Sequence, residues 1–96
     1  MRAPSLAELK THLRIEHDDE DAYLGMLLHM AKAAAENFCM ITFPARKTPE
    51  PVWLAMLLHA SYYYTHREAA NAGAYEHMLR AFRALLWPYR DTGKLV

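Results

Sequence analysis

PVWLAMLLHASYYYTHRE, residues Pro51 to Glu68, is the stretch on which the fold turns. Between Val52 and Tyr64 the polar groups are confined to His59, Ser61 and the tyrosine hydroxyls, so at helical pitch no side is free of apolar side chains. That pattern predicts a buried central helix. Thr48 is placed to cap it, and Pro49 to Pro51 suit a first turn whose N–H groups have no intrahelical acceptor. The apolar run, about 13 residues, falls short of the roughly 20 needed to cross a bilayer.

Two helices are predicted ahead of it. Ser5 and Glu8 form the S-x-x-E of a capping box, and Leu6, Leu9 and Leu13 then share one face of a helix of about two turns. A helix that short is unstable alone and must dock on something. From about Asp19 to Cys39, Leu24, Leu27, Leu28, Ala31, Ala34, Ala35 and Phe38 recur at three- and four-residue steps, with Lys32 and Glu36 outside the stripe. Its alanines allow another helix to approach closely, and Asp18 or Asp19 is expected to cap it. Residues 40–50, MITFPARKTPE, have two prolines and no helical period, which predicts an exposed, mobile connection of about ten residues with a short extended piece at Ile41 to Phe43.

After the central helix, Asn71, Ala72 and Gly73 read as a C-terminal stop. A fourth helix is predicted from Ala74 to Trp87, with Tyr75, Met78, Leu79, Phe82, Leu85 and Leu86 inward and Arg80 and Arg83 outward. Pro88 ends it, and the aperiodic YRDTGKLV predicts a mobile tail or one held by a partner. The expectation is therefore an all-α, four-helix domain with a central third helix, in one domain spanning residues 1–96.

Composition narrows the function classes. Cys39 is the lone cysteine, which excludes an internal disulfide and suggests a reducing compartment. Eleven basic and eleven acidic residues cancel, which argues against a general binder of nucleic acid or anionic membrane. The charge is unevenly placed, with an excess of acid in residues 1–50 and of base after them. The N-terminus lacks a signal-peptide pattern.

No motif requires catalysis. His12, His17, His29, His59, His66 and His77 are scattered without H-E-x-x-H or Cys/His spacing, so they read as surface or hydrogen-bonded core residues and no metal is expected. The acids Glu16, Asp18, Asp19, Glu20 and Asp21 lack the alternation, glycine and distal glutamate of a calcium loop. No nucleophile, base and orienting group assemble from spacing, and no cofactor is implied. Tyr62, Tyr63 and Tyr64 point around most of a turn, so at least one ring is expected to be exposed or to bury against another chain.

Three segments in order, LRIEHDDEDAYLGMLLHMAKAAAENF at 13–38, YTHREA at 64–69 and LLWPYR at 85–90, resemble the phage head-tail connector family, also described as gp6-like or possible DNA-packaging proteins. The most specific part is L-R-I followed by a run of acids and a Leu-rich amphipathic helix, and the likeness covers about two thirds of the chain. It implies a non-catalytic virion protein, made in the bacterial host cytoplasm. It also implies a ring of identical copies under the portal protein, extending the DNA channel and docking a downstream neck or tail protein, with no sequence-specific DNA contact and no membrane.

The charge split suggests how such copies would join. Rings use head-to-tail contacts, and the expectation is that Asp18, Asp19, Glu20 and Asp21 approach Arg67, Arg80 or Arg83 of a neighbour. Tyr62, Tyr63, Tyr64 and Trp87 are expected to supply most of the affinity through apolar area, and Tyr89 and Arg90 are also expected at the interface. The competing reading is a small helical DNA-binding or regulatory protein using Arg80 and Arg83, disfavoured by zero net charge and by the lack of a compact helix-turn-helix.

Overall fold

The computed structural model describes residues 5–43, 48–67 and 71–90, and within these the chain is all-helical, with no strand. Four helices follow in order: α1 (Leu6–Leu13), α2 (Asp21–Cys39), α3 (Glu50–Thr65) and α4 (Ala72–Leu86), the last continuing into a 3-10 turn at Trp87–Tyr89. The body is a slab of 48 × 32 × 17 Å.

α3 is the element the others share. It packs along α2 and α4 and also touches α1. Val52, Ala55, Met56, Leu57, His59 and Ala60 of α3 are buried. Around them lie Leu9 of α1, then Leu24, Leu27, Ala31, Ala35 and Cys39 of α2, and Met78, Phe82 and Leu86 of α4. Small residues at 31 and 35, both fully buried, leave no side-chain bulk between α2 and its neighbours, as the alanine run predicts. The central helix is not enclosed on every side, however. Leu54 is 39% exposed and Thr65 is exposed, so one edge of α3 reaches the surface without a polar residue to announce it at position 54.

The capping box of α1 forms as expected: Ser5 Oγ accepts from the Glu8 amide at 3.2 Å, and Glu8 Oε1 accepts from the Ser5 amide at 2.8 Å. Other ends differ from their sequence signals. α2 begins at Asp21 behind Glu20, with no side-chain cap; neither Asp18, which turns to Lys10, nor Asp19, which lies near His17, fills that position. Pro49, not Thr48, precedes the first residue of α3, and Thr48 lies fully buried. α3 ends at Thr65, several residues before Glu68. Asn71 opens α4 rather than closing α3: its Oδ1 accepts from the Ala74 amide at 2.9 Å, and Gly73 lies inside the helix. Arg14 and Met40 close α1 and α2 in the left-handed region, at φ 60° and 63°.

The 40–50 connection is not wholly exposed. Phe43 and Thr48 are buried, and the Phe43 amide donates to Glu36 Oε2 at 2.9 Å. Lys32 holds the same oxygen at 3.0 Å. Burial alone would raise the Glu36 pKa, but the Phe43 amide and Lys32 outweigh it and keep the carboxyl ionised below its usual range. Ile41 to Phe43 form no strand, and residues 44–47 lie outside the described residues. The tail expected to be mobile from Tyr89 is anchored at its start, since Tyr89 and Arg90 are half-buried and Arg90 Nε donates to the Phe38 carbonyl at 2.9 Å. The rest of that tail, residues 91–96, lies outside the described residues.

Candidate functional site

For a protein without catalytic motifs, the candidate site is the surface left over once the chain has satisfied itself. The acidic cluster is mostly spent within its own chain. Lys10 Nζ donates to Asp18 Oδ1 at 2.6 Å and Asp21 Oδ1 at 2.8 Å, tying α1 to the start of α2. Its bond to Asp18 raises the Lys10 pKa and lowers that of Asp18. Glu20 accepts from the Tyr64 hydroxyl at 2.6 Å and from Arg67 Nη1. The Tyr64 bond first, and Arg67 second, hold the Glu20 carboxyl below its usual range. The Arg67 guanidinium also lies 4.9 Å from the Tyr64 ring centroid and 5.5 Å from that of Tyr23. The structure thus brings Glu20 and Arg67 together, but inside one subunit. Glu16 and Asp19 are the exposed acids of this cluster that no lysine or arginine among the described residues holds, and Asp19 has only His17 near it, at 3.8 Å.

The three tyrosines are also covered from within, more fully than helical pitch alone implies. All are half-buried. Tyr62 stacks on His66 at 4.5 Å and packs on Tyr75 of α4 at 5.5 Å. Tyr63 meets His59 at 4.9 Å and Tyr62 edge-on at 5.1 Å. Burial raises the Tyr63 pKa, with Tyr75 adding to it. Tyr64 packs on Tyr23 of α2. α2 and α4 flank α3 on separate sides, so rings pointing apart still find cover.

The basic end of α4 is different. Arg80 and Arg83 are exposed and form no ion pair among the described residues, and Trp87, one turn beyond Arg83 on the same face, is 61% exposed. Trp87 is nonetheless held in place: its ring lies 6.4 Å from Phe38, and the Arg90 guanidinium lies over both rings, at 5.7 and 5.2 Å.

Two surfaces went unmarked in the sequence. Between α1 and α3 is an open groove of about 400 Å³, lined by Ala7, Glu8, Thr11, His12, Trp53, Leu54 and Leu57. It adjoins a second hollow against Glu50. On α2, Ala22, Met26, His29, Met30, Ala33, Asn37 and Met40 form an exposed stripe with no Asp, Glu, Lys or Arg in it. Met26, Met30 and Met40 are 49, 41 and 62% exposed. The outward period of these methionines is visible in the sequence, but the strong inward stripe of leucines and alanines draws attention from it.

Among the described residues no group of three or more His, Cys, Asp or Glu side chains is placed to hold a metal. His59 is buried against Tyr63 and Phe82 with its Nδ1 unbonded, so that ring nitrogen lacks the partner expected of a core histidine. Burial lowers its pKa. Cys39 is buried, donates to the Leu86 carbonyl at 3.6 Å, and has its pKa raised by burial, which makes it an unreactive thiol. No helix among the described residues is long and apolar enough to cross a membrane.

No match to the chain was found among curated proteins or among solved structures. Comparison with family models gives one description, "Phage gp6-like head-tail connector protein", matching residues 4–90. That span takes in all four helices, the acidic turn, Trp87 and Arg90, and the chain belongs to the phage gp6-like head-tail connector family.

Proposed function

We propose that the protein is a connector subunit that forms a ring of identical copies beneath the portal, continues the DNA channel and presents a surface to the next neck or tail component. The observation that carries this reading is the family match over residues 4–90. The leftover surface is consistent with it. Arg80, Arg83 and Trp87 lie on one face of α4, with the exposed Glu76 one turn before Arg80, while the other unspent acids Glu16, Asp19 and Glu50 lie within residues 1–50, so one copy offers unlike patches to the next. Unlike patches give head-to-tail contacts, which close into a ring when the rotation between successive copies returns to the first.

The acidic turn contributes less to such a contact than its sequence implies. With Asp18 and Asp21 on Lys10, and Glu20 on Arg67, Asp19 is the member of the quartet left to face a neighbour's Arg80 or Arg83. Exposed pairs contribute about 0–1 kcal/mol each, so charge sets orientation and apolar area supplies affinity. Zero net charge suits a conduit, since a basic lumen would hold DNA through many phosphate contacts.

The test is to mix the purified chain with portal rings from the same phage and determine mass and shape by native mass spectrometry and electron microscopy. A discrete ring of copies added to one end of the portal is the expected result. A chain that stays free at all concentrations overturns the reading. A gel-shift assay checks the DNA-binding alternative that the exposed Arg80 and Arg83 keep in view, and tight binding to short duplex at physiological salt would favour it.

A further inference from the structure

We propose that the Trp87 indole of one subunit seats in the α1/α3 groove of the next. This rests on the ring assembly proposed above and names the contact that joins its copies.

The two surfaces are matched in chemistry. The groove is bounded by Ala7, Thr11 and His12 on α1 and by Trp53, Leu54 and Leu57 on α3, with a volume of about 400 Å³. Its polar lining is slight, and carboxylates stand at its edge: Glu50 in the adjoining hollow, and Glu8 on α1, whose Oε1 already accepts from the Ser5 amide. Trp87 is the largest exposed apolar side chain of the described residues, and it projects beside Arg90, which lies over its ring, with Arg83 one turn back and Arg80 two turns back. An aromatic knob with a basic flank thus faces an apolar slot with an acidic rim. Phe38 and Arg90 already hold the indole in place, so little side-chain freedom is lost when it docks. A central aromatic anchor ringed by charged pairs is the usual anatomy of a stable protein interface.

The knob and slot are on different elements. α1 and α4 each pack on the α2–α3 pair and make at most marginal contact with each other. A contact between unlike patches leaves a free knob at one end of every chain of copies and a free slot at the other, and only ring closure uses both.

The test uses two full-length variants, each altered at an exposed position: Trp87→Glu removes the knob, and Leu54→Glu fills the slot with charge. Oligomer mass is measured for the wild type, each variant and their equimolar mixture, with and without portal rings. The wild type should form multimers, alone or on the portal, and each variant alone should remain a monomer in both settings. The mixture should give a species of two subunit masses and no larger one, because one live knob and one live slot remain; its appearance also shows that both variants are folded. If either variant assembles as the wild type does, or the mixture gives no heterodimer, the contact is wrong while the ring reading stands. If the wild type itself never multimerises, alone or on the portal, the ring reading fails and the contact with it.

Discussion

The Tyr64 hydroxyl and the Glu20 carboxylate meet at 2.6 Å although 44 residues separate them, and this single bond ties the end of α3 to the start of α2. Arg67 joins the same carboxylate, so residues from the acidic turn and from the end of the apolar helix form one closed cluster. Tyr64→Phe and Glu20→Gln are expected to lower the urea midpoint. The pH dependence follows from the direction of the Glu20 shift. With its folded pKa depressed, the contribution is fully present above the ordinary glutamate value and is lost as pH falls through the lowered folded value. Urea midpoints measured from pH 7 down to pH 3 should therefore fall less steeply in Glu20→Gln than in the wild type.

His59 supplies the opposite kind of prediction. Its unbonded Nδ1 is a buried polar atom that costs stability, about 1–3 kcal/mol for such groups in general. His59→Phe keeps the ring contacts with Tyr63 and Phe82 and should raise stability by about 1 kcal/mol. Above the ordinary histidine value, about 6.5, folded and unfolded chains are both neutral at this position. Below it the unfolded chain takes a proton before the buried ring does, so wild-type stability falls as pH drops toward the lowered folded value. That part of the slope should vanish in the variant, as read by thermal melts at pH 5 and pH 7.5.

Ala35 tests the close approach of α2 to its neighbours. It is fully buried, and Ala35→Leu forces extra side-chain bulk into a filled space. The expected loss is about 1–3 kcal/mol by denaturant unfolding, whereas Ala33→Leu on the exposed side of the same helix should change stability by less than about 0.5 kcal/mol.

Met40 closes α2 at φ 63°, a conformation glycine adopts without strain, and its side chain is 62% exposed. Met40→Gly should therefore stabilise the chain by about 0.5 kcal/mol, the relief of left-handed strain exceeding the entropy that glycine adds to the unfolded state. A thermal melt of the variant decides it.

What the sequence made legible was periodic. Leu24, Leu27, Ala31 and Ala35 fall on one side of a helix whatever the rest of the chain does, and Ser5 with Glu8 is a local signature that needs no tertiary context. The errors arose where one residue type serves two purposes. Asn71 near Gly73 fits a helix stop as well as a start, and only the bond to the Ala74 amide distinguishes them. Asp18 suits an N-cap, but Lys10, eight residues back, is brought beside it by the turn between α1 and α2. The groove at Trp53 and Leu54 was hidden for a related reason: apolar residues look alike whether they enter the core or line a surface hollow. Trp87 follows the outward arginines at helical spacing, and it is exposed.

The way α3 is enclosed bears on how the polypeptide is made. Its cover comes from α1 and α2, which precede it, and from α4, which follows it. Nascent chain emerging from the ribosome would hold Val52 to Tyr64 half-dressed until α4 has been synthesised and released. A helix with no polar side has no safe way to wait in water, so this stretch is where a stalled or prematurely ended product would be seized by chaperones or proteases.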